Sequence, residues 1–172
     1  MVFWHILVVC WLLVGEGEPK MELVITSKTI TVYGQTSIGD FSCCYSQNGL
    51  QDTLTLNPSQ RLDFKIPVDS FSCGNFLLNR DFRQTLRANE YPKTMVEATD
   101  FRAEQGYIVC NIAVEIAGKV LEFMDVQMDQ HKNKLETCLS ISSQELDLKP
   151  PSKLGGLVQV DDELSINFSL GI

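Results

Sequence analysis

The segment Tyr107–Ile116 places Ile108, Cys110, Ile112, Val114 and Ile116 at every second position, with Tyr107, Asn111 and Glu115 among the residues between them. Alternate side chains of a β-strand point to opposite faces, so this spacing lays one apolar face along a strand. The same period returns elsewhere: in Thr29–Gly34, at Phe41, Cys43 and Tyr45, and at Leu62, Phe64, Ile66 and Val68. It returns again at Leu135, Thr137, Leu139 and Ile141, and at Leu164, Ile166, Phe168 and Leu170. Alternation, as opposed to unbroken apolar runs, is the mark of antiparallel strands with one face on a core and one toward water. Asn48-Gly49 reads as a hairpin turn before Leu54–Leu56, and Ala117-Gly118-Lys119 as the turn after Ile116. Residues 94–101 read as an irregular strand, and Pro67 as a strand end or an edge position. In Val120–Met128 two sets compete for the inside, Val120, Met124, Val126 and Met128 against Leu121 and Phe123. His131–Lys134 is a polar loop, and Pro150-Pro151 and Gly155-Gly156 bracket another.

One stretch changes period. Between Asn75 and Asn89, Leu78, Phe82 and Leu86 recur every fourth residue, one face of a helix. Tyr91-Pro92 is expected to end it, because the residue before proline avoids the helical region. About seven strands and one helix in meander order predict an all-β fold. Closure into an antiparallel up-and-down barrel removes exposed edges, although periodicity alone also fits a sandwich.

Composition narrows the partners. The chain has 172 residues, 44% of them apolar, enough for one domain with a real core. With 22 acidic and 14 basic residues the net charge is −8, and the arginines around Arg80, Arg83 and Arg87 form no run. Phosphate tracking needs clustered cations, so nucleic acid and a polybasic membrane contact are excluded. Val2–Val14 is an apolar run shorter than the roughly 20 residues of a membrane helix, and of signal-peptide size. Gly15 and Gly17 supply small residues for cleavage between Gly15 and Lys20. Residues 1–20 are therefore read as a leader and 21–172 as the folded domain, in a periplasmic or secreted protein.

Catalytic and metal chemistry find little footing. His131 is the one histidine beyond the leader and lacks converging ligands, so no metal and no cofactor are expected. No G-x-S-x-G occurs, Cys73-Gly74 has no base to serve it, and Asp161-Asp162 are adjacent, so a strand cannot aim both at a substrate. The chain reads as a non-enzyme. Asp81, with Arg80 and Arg83, reads first as a surface ion pair of small value and second as a contact for a polar head group.

A resemblance follows from collinear motifs. The stretch Phe71–Thr94, with Arg80-Asp81, Leu86 and Tyr91-Pro92, is similar to the signature of YceI-like proteins, in which a strand ends in a Ser-rich turn and enters a helix. The opening Val32–Cys43 resembles the strand pair of that family's short bacterial forms. Glu145–Leu170 matches its tail, with Pro150-Pro151, Gly156-Leu157-Val158 and the final alternating strand. The likeness spans about residues 23–172 and implies a lipocalin-like, eight-stranded barrel with one helix. It also implies a periplasmic or secreted location and, in some members, a polyisoprenoid or fatty amide chain held in an apolar tunnel without catalytic residues. The chain departs from longer members at Glu145–Leu148, and at Ala117-Gly118-Lys119, where a histidine-bearing turn is often found.

Cys10 leaves with the leader, so Cys43, Cys44, Cys73, Cys110 and Cys138 remain, an odd number. No C-x-x-C pair exists. Strand parity turns Cys43 and Cys110 inward and Cys44 and Cys138 outward. Cys73, between strand and helix, is free of parity and is expected to pair with Cys43, with Cys44 as the rival. The short forms that the chain resembles carry cysteines matching Cys43 and Cys73.

The expected function is binding or sequestration of an isoprenoid- or fatty-chain-like ligand, lined by Phe64, Ile66, Ile108, Ile112, Val114, Ile166 and Phe168. The alternative is a structural or stress-associated barrel in which these side chains fill the core. The partners allowed are such a lipid and a second copy of the chain in a homodimer.

Overall fold

A computed structural model describes residues 22–149 and 159–172. The leader with its cleavage region and the loop bracketed by Pro150-Pro151 and Gly155-Gly156 lie outside the described residues. Eight strands and one α-helix follow in order: β1 Glu22–Thr36, β2 Gly39–Thr55, β3 Arg61–Pro67, α1 Phe76–Thr85, β4 Lys93–Glu104, β5 Tyr107–Ile116, β6 Lys119–His131, β7 Lys134–Ser142 and β8 Val160–Gly171. All ladders are antiparallel. The sheet runs β2-β1-β8-β7-β6-β5-β4-β3. The fold is an all-β, antiparallel barrel with a single helix. Its seam lies between β2 and β3, consecutive in sequence yet at the two ends of the sheet order.

The alternating faces predict the core well. Ile108, Cys110, Ile112, Val114 and Ile116 are all buried, as are Leu62, Phe64, Ile66 and Val68, and Leu135, Thr137, Leu139 and Ile141. Pro67 closes β3, an edge strand, where its missing N–H breaks no ladder bond.

Two readings are corrected and one left open is settled. Asn48-Gly49 does not reverse the chain: β2 continues through it, because β1 is long enough to pair on both sides. The pairing passes from Ile25↔Asp52 to Ser27↔Asn48, so Gly49, at φ +75°, belongs to a bulge. The competition within β6 is settled by another irregularity. Asp125 adopts φ +54° beside a register shift against Cys110 and Ile112. Leu121 and Phe123 are the more buried residues before it, and Val126 and Met128 after it.

The helix is also shorter than expected. Asn75 caps it, its side chain accepting from Leu78 N–H at 2.9 Å. It stops at Thr85, before Tyr91-Pro92 can act. Arg87 enters the left-handed region at φ +52°, Ala88 N–H donates to Arg83 C=O and Arg87 N–H to Gln84 C=O, the Schellman pattern. Glycine is usual at that position. Here the Arg87 guanidinium donates to Ala117 C=O at 2.6 Å and stacks on Tyr91, which offsets the backbone cost.

Candidate functional site

The connection from β3 to β4 carries α1 across one end of the barrel, where the β1–β2 turn and the start of β8 also lie. Beneath α1 is a cavity of about 350 Å³. Ile66, Val96, Val114 and Ile116 line it from β3, β4 and β5, and Ile141, Leu164, Ile166 and Phe168 from β7 and β8. Its roof is a helix stripe of Leu78, Asp81, Phe82, Thr85 and Leu86. These positions fall at i, i+3, i+4, i+7 and i+8, the spacing that keeps one face of a helix together. Ile38, at the β1–β2 turn, lines the cavity and is 76% exposed, which places an opening at this end.

The far half of the barrel is packed. Phe64, Phe101, Ile112 and Met128 meet there, leaving a void of only about 20 Å³. Lys28 reaches across the Phe64 ring at 4.5 Å and pairs with Asp52 at 2.7 Å, so its alkyl stem adds to that packing while its charge is matched.

Close packing frames the hollow half. A side chain at Gly34 would collide with the ring of Phe41, which lines the cavity from β2. One at Gly118, in the β5–β6 turn at φ +79°, would strike Tyr91. These two glycines admit the rings that fix the β1–β2 and β5–β6 corners. Cys43, also on the lining, is joined by a disulfide to Cys73, just ahead of α1. Beside it Cys44 and Ser72 exchange two backbone hydrogen bonds of 2.9 Å. Cys73 N–H donates to Asn79 Oδ1 at 2.7 Å, tying the bridge to the first turns of the helix. Cys44, Cys110 and Cys138 are free thiols.

The residues predicted to line a ligand site divide between the two halves. Ile66, Val114, Ile166 and Phe168 face the cavity. Phe64 and Ile112 border the small void, as Phe168 also does, and Ile108 is buried in the core on the lining of neither. The roof carries what strand periodicity cannot show. Asp81 is 8% exposed and lies on the cavity, in place of the surface position expected from its arginine neighbours. Arg80 approaches it at 3.8 Å. Its i+3 spacing from Leu78 was the available signal. Leu146 and Leu148, in the departure segment Glu145–Leu148, are buried against the cavity as well.

Of the polar candidates, His131 and Asp162 are not on the cavity lining, although Asp162 bonds Ser143, which is. His131 is exposed in the β6–β7 turn region. Asp162 accepts from the Ser142 and Ser143 hydroxyls at 2.6 and 2.7 Å and from Gln144 N–H at 3.0 Å. Those hydroxyls hold its carboxyl below the ordinary value of 3.8. Among the described residues no three His, Cys, Asp or Glu side chains converge as metal ligands.

No family model matches the chain, and no curated protein matches it in sequence. Solved structures do. Burkholderia cenocepacia BcnA is 17% identical with a TM-score of 0.50, over 84% of this chain and 94% of that one. A polyisoprenoid binding domain from Saccharophagus degradans, implicated in plant cell wall breakdown, is 11% identical with a TM-score of 0.60, over 86% of this chain and 97% of that one. What these likenesses share with the chain is the fold, a lipocalin-like barrel with one helix.

Proposed function

We propose that this chain is a YceI-like protein that holds a single apolar chain, of isoprenoid or fatty-acyl type, in the cavity beneath α1, without catalysing a reaction on it. The carrying observation is the cavity itself: about 350 Å³, apolar on its strand walls, in a barrel whose other half is filled. Ligand sites span roughly 300–1,000 Å³ and are mostly apolar with a few placed polar groups, so this one is at the small end. The likeness to a polyisoprenoid binding domain supports the same reading at the level of architecture. Export after removal of residues 1–20 belongs to the proposal, since the Cys43–Cys73 bridge suits an oxidising compartment.

A structural barrel without a ligand is the second reading, favoured by the filled half. Two tryptophan substitutions separate them. Val114→Trp extends into the cavity and is expected to leave the protein folded, at a smaller cost than the same change at a position without room. It should also displace any chain that native mass spectrometry finds on the parent protein. Ile112→Trp has no such room and should cost about 1–3 kcal/mol or more. If the parent protein carries no apolar molecule and takes up none, and Val114→Trp is as damaging as Ile112→Trp, the structural reading stands.

A further inference from the structure

On the reading of the cavity as a chain-binding site, we propose that the helix end of the barrel docks on a phospholipid bilayer, with Ile38, Phe76 and Leu77 entering the interface and Arg80 and Arg83 on the lipid phosphates. The helix α1 then lies between two apolar environments, the cavity beneath it and the bilayer above.

Spacing divides the helix. Leu78, Phe82 and Thr85 are on the cavity lining. At about 3.6 residues per turn, Phe76, Arg80 and Arg83, at i, i+4 and i+7, share the side turned away from it, and Leu77 lies on the flank. Phe76 is 74% exposed and Leu77 53%. A single exposed apolar side chain is ordinary, but these two are consecutive and begin the helix that roofs the cavity. Ile38, at the β1–β2 turn of the same end, is exposed while it also lines the cavity. Ile38 and Phe76 are the two most exposed large apolar side chains among the described residues.

Charge selects the occupant. The chain carries a net charge of −8, yet the outward side of α1 has two arginines and no carboxylate, since its one acidic residue, Asp81, is buried. Arg80 is half exposed and 3.8 Å from Asp81, and Arg83 is 3.5 Å from the exposed Asp69. Pairs this open to water are weak, and a guanidinium retains donors for a phosphate, which it holds in bidentate fashion. Two arginines are too few for a polybasic contact, and Asp40 and Asp69 at the same end hold the preference for anionic lipid to a modest one. Apolar insertion supplies the binding and the arginines orient it, as in helices that lie in the interface. A second copy fits this side poorly, because across a two-fold axis the patch meets itself and the arginines oppose their own copies. A bilayer, in contrast, holds the class of molecule that the cavity is read to take, and Ile38 sets the cavity's opening against it.

The test is flotation of the purified protein with vesicles of phosphatidylcholine and phosphatidylglycerol, two to one, and with phosphatidylcholine alone. Intact masses are recorded so that parent and variants carry the same N-terminus, and folds are checked by circular dichroism. The protein is expected to float with the mixed vesicles and to bind phosphatidylcholine alone about threefold more weakly. Phe76→Ser with Leu77→Ser should lower binding about tenfold or more. Arg80→Gln with Arg83→Gln should lower it about threefold and remove the preference for phosphatidylglycerol. Val24→Ser with Tyr107→Ser, exposed at the opposite end of the barrel, should change nothing. Val114→Trp should still float, and mass spectrometry of the parent protein recovered from the vesicles reads chain uptake separately. Absence of flotation, or flotation that survives Phe76→Ser with Leu77→Ser, overturns the docking, leaves this side to a protein partner and does not touch the chain-binding reading. Flotation without uptake of any apolar chain overturns the chain-binding reading and leaves the docking in place.

Discussion

Cys110 has no exposed surface, at the centre of β5's inward face. Burial pushes its thiol up to about 12, Asp100 adding to the rise and Arg102 opposing it. The thiolate is the reactive form, so Cys110 is inert at ordinary pH while the protein is folded. Cys138 is exposed on β7 and Cys44 is half-buried beside the bridge. A thiol reagent at pH 8 should therefore label Cys138 first, Cys44 more slowly, and Cys110 only after denaturant is added. Peptide mapping of the labelled protein checks this, and modification of Cys110 in the native state would contradict the core assigned to β5. Parity along the strands made Cys110 and Cys138 legible in the sequence, because each lies in an unbroken alternating run. Asp81 was not legible in that way. Two arginines beside it suggested a surface pair, and only the placement of α1 across the barrel end turns its face of the helix inward.

At the scale of elements, the seam between β2 and β3 is where the sheet offers no ladder. The Cys43–Cys73 bridge and the paired backbone of Cys44 and Ser72 hold that seam at the helix end, and the same bridge anchors the entry to α1. The bridge spans 30 positions, so its loss through paired Cys43→Ser and Cys73→Ser changes should cost about 2–4 kcal/mol in chemical denaturation. Amide exchange should then accelerate in α1 and the start of β2 well before it does in β5. A uniform acceleration would show that the bridge steadies the whole barrel and not the roof. Beyond β7, the Asp162 carboxylate gathers Ser142, Ser143 and Gln144 into a turn. Its folded value lies below the ordinary 3.8 because both serine hydroxyls donate to it. The support it gives is full above the unfolded value and is lost as pH falls through the lower folded one. Protection of Gln144 N–H, taken relative to its intrinsic exchange rate, should thus fall as the pH drops below about 3.8, and Asp162→Asn should remove that dependence. Strand existence was readable from period-two spacing in β3, β5, β7 and β8, and less so in β4 and β6, where register shifts interrupt the alternation. The bulges at Gly49 and Asp125 were not, since an Asn-Gly pair carries the same local preference in a hairpin turn and in a bulge, and the length of the partner strand decides which forms.

At the scale of the molecule, sheet order and chain order differ only by where the counting starts. Read from the other end, β3-β4-β5-β6-β7-β8-β1-β2 is a plain meander. Ser27 pairs with Gly171, so the beginning of β1 and the end of β8 leave the barrel side by side. No ladder crosses the link 56–60, which joins the two edge strands. The gene could therefore be opened at that link, and Ile172 tied back to Glu22 by a Gly/Ser linker able to cover the roughly 17 Å of Glu22–Ser27. Every hydrogen-bonded pair of strands, and the bridge from Cys43 to Cys73, would remain within reach. Such a circular permutant, starting at Arg61 and ending at Thr55, is expected to fold with the parent's far-ultraviolet dichroism and a cooperative melt. It would turn the seam between β2 and β3 into the pair of chain ends, at the end of the barrel away from α1, so that a fused partner or a reporter would stand clear of the hollow under the helix.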